Sequence, residues 1–181
     1  IKLPTPETEA IKIPNIFNPR FSYSGGKIIT ELVGINYGKK YFKKMVIFRP
    51  HNVFGPNMGY EHVIPELIEK IKVSKKNIKI QGSGREERSF IYIDDFCNAF
   101  DKILKRGKHL NIYNIGNSKS ISITNLAKII MKNMKKNLKI YKSKRTRGST
   151  LKRCPNISKI KKLGYRQKTS LEDGIKETIQ W

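Results

Sequence analysis

Met45-Val46-Ile47-Phe48-Arg49-Pro50-His51-Asn52-Val53-Phe54-Gly55-Pro56 is the stretch on which the fold turns. Four consecutive apolar residues without polar alternation fit a strand covered on both faces, as in a parallel sheet, better than a half-exposed one. The run ends at Arg49-Pro50 and breaks at Asn52 and Gly55-Pro56. In open α/β sheets ligands gather beyond the carboxyl ends of the strands, so residues 49–55 are where chemistry is expected.

Upstream, Pro4, Pro6, Pro14 and Pro19 mark residues 1–20 as an extended loop. From about Tyr23 to Tyr37, Ile28, Ile29, Leu32, Val33 and Ile35 recur at helical spacing, with Ser22 or Ser24 as the expected cap. Tyr23 and Lys27, four residues apart, fall on one face of that helix. A cation held beside a phenol favours the phenolate, and a phenol needs such help to act as a base near neutral pH. The spacing alone is a weak signal. With 8 Tyr and 29 Lys (38 basic side chains less nine Arg) in 181 residues, about one Tyr-x-x-x-Lys match arises by chance.

Downstream, strands and helices alternate. A helix is expected at Val63 to Val73, a strand at Ile78 to Gln81, and the turn Gly82-Ser83-Gly84. A strand at Ser89 to Ile93 precedes Asp94-Asp95, read as the N-cap of a helix from Phe96 to about Leu104. A strand at Asn111 to Ile115 leads to a helix capped by Ser122 or Thr124 and running to about Met134. A strand at Leu138 to Tyr141, a basic loop, and helical stretches near Ile157 to Leu163 and Leu171 to Ile179 complete the chain. The class is α/β.

The net charge of +24 invites a nucleic-acid reading. The charge is mostly Lys, spread along the whole chain without an Arg-rich patch, so a solvated surface is the preferred account. Cys97 and Cys154 form no Cys-x-x-Cys unit, and His51, His62 and His109 show no ligand spacing. No metal and no disulfide are expected, and a reducing cytoplasm fits. No apolar run approaches the ~20 residues that span a bilayer. The chain begins Ile-Lys-Leu-Pro, without Met, and is expected to be a piece of something longer.

Five motifs stand in one order: Tyr23-x-x-x-Lys27; Arg49-Pro-His-Asn52-Val-Phe-Gly55-Pro56; Gly82-Ser-Gly84 with Arg88-Ser-Phe-Ile-Tyr-Ile-Asp94-Asp95; Tyr113-Asn-Ile-Gly116; and Lys159-Ile-Lys-Lys-Leu-Gly164-Tyr165 with Leu171-Glu-Asp-Gly174. The series resembles the C-terminal part of the extended short-chain dehydrogenase/reductases, in their nucleotide-sugar epimerase and dehydratase group. The resemblance implies the C-terminal part of a Rossmann domain, a doubly wound parallel sheet that binds NAD, over residues 1–56. It implies a smaller α/β nucleotide-sugar-binding domain over 57–181, with 87–106 packing back on the first. The glycine-rich cofactor turn and the family's catalytic Ser or Thr are not in this sequence, so the fragment alone is expected to be inactive.

Carried over by position, the resemblance makes Tyr23 the catalytic acid/base and Lys27 its partner on the nicotinamide ribose. The backbone at Pro50 and His51 would support the nicotinamide carboxamide. Asn52, His62, Val63, Arg88 and Arg147 would contact the nucleotide-diphosphate sugar, the arginines at its phosphates. Arg145 rivals Arg147, since Arg147-Gly-Ser-Thr150 departs from the usual Arg-Pro-Gly-Asp. The implied activity is transient oxidation of a sugar carbon, as in a UDP-glucose 4-epimerase, within polysaccharide biosynthesis. The expected assembly is a homodimer through the helix from Tyr23. Each residue also has a plainer reading: Lys27 as a snorkelling surface lysine, Asn52 as a turn residue, His62 as a cap, Arg88 and Arg147 as surface charges. Two other functions stay open at this point, a catalytically silent nucleotide-sugar or dinucleotide-binding module and a basic nucleic-acid-binding protein.

Overall fold

The structure is a computed structural model that describes residues 2–144 and 148–181. An irregular N-terminal segment ends in a 3-10 turn at Pro19–Phe21. In chain order there follow α1 (Ser22–Tyr41), β1 (Val46–Pro50), β2 (Val53–Phe54), α2 (Val63–Val73), β3 (Asn77–Lys79), β4 (Glu87–Arg88), β5 (Ile91–Tyr92) and α3 (Ile93–Arg106). Then come β6 (Asn111–Ile115), β7 (Ile121–Ser122), α4 (Ile123–Asn133), β8 (Lys139–Tyr141), β9 (Lys152–Arg153), α5 (Ser158–Lys161) and α6 (Leu171–Gln180).

The pairing is mostly parallel, as expected from the apolar run at 45–48, but β1 is not covered on both faces as expected, since only Ile47 is buried and Phe48 is exposed. Strand β1 pairs with β6 from Val46 opposite Asn111 to Pro50 opposite Ile115. Strand β2 pairs with β5, and β3 with β8, also in parallel. Strand β4 is parallel to β9 and antiparallel to β7. Within β1, Ile47 is buried while Phe48 points the other way, edge-on to Phe96 and Phe100 of α3, and stays partly open.

Two apolar clusters hold these elements. One unites Phe54, Tyr92, Ile64, Leu67 and Ile71 of α2 with Ile78, Leu126, Ile130 and Ile175. The other unites Ile91, Ala99, Ile103, Tyr113 and Ile115 with Ile157, Ile160 and Tyr165. Each fully buried aliphatic or aromatic side chain contributes about 1.5–3 kcal/mol. Gly84, with φ of +74°, adopts a conformation most side chains resist, and a methyl there would overlap Thr124 Oγ1.

Several expected boundaries shift for local reasons. Helix α1 starts at Ser22 with Phe21 as its cap, and the Ser22 hydroxyl donates to Pro19 O at 2.6 Å instead of capping. Strand β5 runs straight into α3, so Tyr92 occupies the cap and Asp94 and Asp95 stand inside the first turn, where acids suit the positive end of the helix. Asp95 is buried and accepts the Lys168 and Thr169 N–H groups at 2.8 and 2.9 Å. Ser122 caps α4 by accepting from Asn125 N. On α1 the apolar positions divide: Ile28 and Ile35 turn inward with Gly34 and Gly38, while Ile29, Leu32, Val33, Tyr37 and Tyr41 face solvent.

Candidate active site

Strand β1 carries the backbone to Pro50 and His51, and Asn52 then turns it toward β2. Asn52 adopts φ of +42°, a left-handed conformation that Asn tolerates better than most residues. Its Nδ2 donates to Ser89 O at 2.7 Å, and its own carbonyl accepts the Ile91 N–H. The turn-residue reading of Asn52 is thus correct, and it coexists with a place in the site. Asn52, Val63 and Arg88 together line a cleft of about 240 Å³. Arg88 reaches it from β4, with Nη1 donating to Glu87 O at 2.7 Å. Leu67 and Ile123 supply apolar walls, and Gln81 and Glu86 add polar ones. A wider hollow of about 540 Å³ shares Glu66, Lys70, Ile80 and Gln81 with it and opens along β3.

Glu86 is buried on the cleft wall, with Oε1 accepting from the Ser83 N–H and hydroxyl at 3.1 Å. Burial alone would push this carboxyl upward. The N–H groups of Ser83, Glu86 and Gly84 and the Ser83 hydroxyl outweigh it, so the net shift is downward and the group stays ionised.

Tyr23 and Lys27 come together on the exposed first turns of α1, with Lys27 Nζ 5.3 Å from the centre of the Tyr23 ring. Neither lines the cleft around Asn52. The His51 N–H donates to Ile115 O at 2.9 Å, which leaves the His51 carbonyl as its backbone offer to a ligand. Its ring is half-buried, with Nε2 3.3 Å from Asn114 Oδ1. Burial lowers its pKa, aided by the charges of Arg49 and Arg153, so the ring is neutral around pH 7. His62 stands exposed at the N-cap position of α2 without a side-chain capping bond and does not line the cleft, whereas its neighbour Glu61 does. The position assigned to Arg147 lies outside the described residues.

Some partnerships at this site carry no local sequence signal. Arg49 forks onto Glu31 of α1, Nε to Oε1 and Nη2 to Oε2, both at 2.7 Å. The Glu31 hydrogen bond raises the Arg49 pKa further above its ordinary value. Lys70 lines the cleft without such a signal, whereas Gln81 ends the stretch at 78–81 expected as a strand. Glu31 alone left a clue, standing four residues after Lys27 on the same helical face. Among the described residues no cluster of three or more metal-binding side chains occurs, and no helix is long and apolar enough to cross a membrane.

A cofactor of the NAD type fits these residues at one end. The strand terminus at Pro50 and His51 offers a carbonyl to a carboxamide, and the exposed Lys27 ammonium offers donors to ribose hydroxyls.

Comparison with known proteins agrees with this geometry. The human dTDP-D-glucose 4,6-dehydratase is 36% identical over 172 residues, covering 90% of this chain and 48% of that protein. The trifunctional UDP-glucose 4,6-dehydratase/UDP-4-keto-6-deoxy-D-glucose 3,5-epimerase/UDP-4-keto-L-rhamnose-reductase RHM2 of Arabidopsis thaliana is 31% identical over 165 residues, covering 90% of this chain and 25% of its own. Among solved structures, the UDP-glucose 4-epimerase of Thermotoga maritima with UDP-glucose superposes with a TM-score of 0.86 at 27% identity, over 99% of this chain and 57% of that one. The DesIV dTDP-glucose 4,6-dehydratase of Streptomyces venezuelae, with NAD bound, gives 0.79 at 26%, over 88% and 50%. The chain therefore spans between a quarter and about half the length of the curated relatives named here. The model of the NAD dependent epimerase/dehydratase family matches residues 2–116, and the chain belongs to that NAD-dependent, Rossmann-fold family.

Proposed function

We propose that this chain serves an NAD-dependent nucleotide-sugar epimerase or dehydratase that oxidises a sugar carbon transiently. The carrying observation is the Lys27 ammonium 5.3 Å from the Tyr23 ring centre on the exposed face of α1, within a chain of this family. NAD, when bound, supplies the hydride acceptor. Tyr23 takes the proton from the sugar hydroxyl. Lys27, beside it on the same helical face, offers its donors to the ribose. The His51 carbonyl orients the carboxamide. Arg88 holds the sugar nucleotide by a phosphate, Asn52 and Val63 place its sugar end, and His62 and Arg147 are kept as further contacts of the same ligand. The cleft beside Asn52, about 240 Å³ and adjoined by an open hollow along β3, has the shape for an elongated nucleotide-diphosphate sugar.

The proposed division assigns residues 1–56 to the cofactor half and 57–181 to the sugar-nucleotide half, with 87–106 packing back. The cluster of Ile91, Ala99 and Ile103 with Tyr113 and Ile115 supports that return, and draws β6 and residues 157–165 to the same side. We place the active protein in the cytoplasm, in polysaccharide biosynthesis, as a homodimer through the exposed apolar face of α1. Both cysteines are free, which suits a reducing compartment. The test is Tyr23→Phe in the full-length protein. NAD affinity stays within twofold and kcat on the nucleotide sugar falls by roughly 10²- to 10⁴-fold; turnover within tenfold of wild type would sink the assignment.

A further inference from the structure

We propose that Arg49 and Glu31 are positioning residues, a clamp that sets the helix bearing Tyr23 and Lys27 against the strand end at Pro50 and His51. The proposal rests on the reading of Tyr23 as the proton-transferring group. Glu31 follows Lys27 by four residues and Tyr23 by eight, so it lies on their face of α1, about 12 Å along the axis from Tyr23. The Arg49 fork meets it with two parallel hydrogen bonds of 2.7 Å, and the two side chains are only 22% and 17% exposed. A third donor, Arg49 Nη1, reaches Glu7 O at 3.1 Å.

Little else mounts this helix. Gly38, near its far end, is the one buried residue among those described in α1. There and at Gly34 a methyl would overlap the Met45 side chain, so close packing on Met45 fixes the C-terminal half. The N-terminal turns, which carry Tyr23 and Lys27, meet the Ile13 side chain at Gly25 and the Ser22–Pro19 hydrogen bond, and Arg49 supplies the ion-paired mount at Glu31. Met45 precedes β1 and Arg49 lies within it, so one strand supports the helix at both points. An apolar contact permits sliding, whereas two parallel charge-assisted bonds to a planar group fix rotation and height together. The same cluster reaches the cofactor side: the Glu7 carboxylate accepts the Asn114 N–H at 2.9 Å, and Asn114 Oδ1 meets His51 Nε2. The clamp thus relates the base to the carboxamide support. Displacement of about 1 Å at a reacting group costs on the order of 10²-fold in rate.

The test compares Arg49→Lys, Glu31→Gln, the exchange Arg49→Glu with Glu31→Arg, and Tyr23→Phe, all in the full-length protein. Kinetics on the nucleotide sugar and thermal midpoints are measured for each. Arg49→Lys, which keeps the charge and loses the fork, lowers kcat roughly 10- to 100-fold while KM stays within twofold. The exchanged pair recovers at least a third of wild-type kcat. The isosteric Glu31→Gln guards against failure to fold and lowers kcat three- to tenfold. Unchanged kcat in Arg49→Lys or Glu31→Gln beside an inactive Tyr23→Phe overturns the clamp alone, and so does a thermal loss with kcat intact below the midpoint. Turnover retained by Tyr23→Phe overturns the reading of Tyr23, and this proposal with it.

Discussion

Asp95 is a carboxylate whose burial is justified entirely by backbone. Its two oxygens take the N–H groups of Lys168 and Thr169, so a side chain on α3 anchors the approach to α6. Asn in its place turns an amide N–H toward one of those donors. Hydrogen bonds to a buried charge are worth about 1.5–3 kcal/mol, and a loss of that order is expected for Asp95→Asn in urea unfolding at pH 7. Tyr92 poses a titration instead. Its hydroxyl donates to Glu177 Oε2, and that bond, with burial, pushes its pKa up to about 12. The folded value lies above the ordinary 10, so the neutral phenol stabilises the fold fully below pH 10 and this contribution is lost as pH rises toward 12. Tyr92→Phe should remove that slope. The measurement is the difference in urea midpoint between wild type and Tyr92→Phe from pH 8 to 11.5, and a difference constant across that range would contradict it.

Among the elements, α2 ends in an instructive way. Its C-cap is Ser74 in an extended conformation, and Lys136, just past α4, sends its ammonium to Ile71 O, Lys72 O and Ser74 O. A cation on those open carbonyls favours the negative end of the helix. Lys136→Met should cost about 1–2 kcal/mol in chemical denaturation and speed amide exchange in the last turn of α2. Lys136 is an exception to the general reading of the lysines as solvated surface, because its value depends on where α2 ends. Legibility divides along this line. Helices and the strands at 46–50, 111–115 and 139–141 were readable, since apolar period and run length survive in a local window. Strands β2, β4, β7 and β9 have two residues each and leave no period to detect. Asn52, Val63 and Arg88 were readable as a group from motif order. The pairing of Glu31 with Arg49, and the place of Lys70 beside Gln81, were not, because only folding brings these partners together.

At the scale of the molecule, α1 turns Ile29, Leu32, Val33, Tyr37 and Tyr41 to solvent along one continuous face. A stripe of this kind suits an isologous contact with a second copy. Val33→Lys in the full-length protein should convert a dimer to a monomer in sedimentation while leaving far-UV dichroism unchanged; a wild-type monomer at micromolar concentration would refute the dimer. The parallel pairing has its own consequence for how the molecule comes to exist. Val46 waits for Asn111, Val53 for Ile91, and Asn77 for Lys139. Among the described residues no ladder joins neighbouring strands by a tight hairpin, so each of these pairings closes a long loop before it gains a hydrogen bond. Such high contact order places folding in the millisecond-to-second range or slower. On the ribosome, the strand that bears Arg49 emerges well before β6, and this pairing waits until residue 115 has been made.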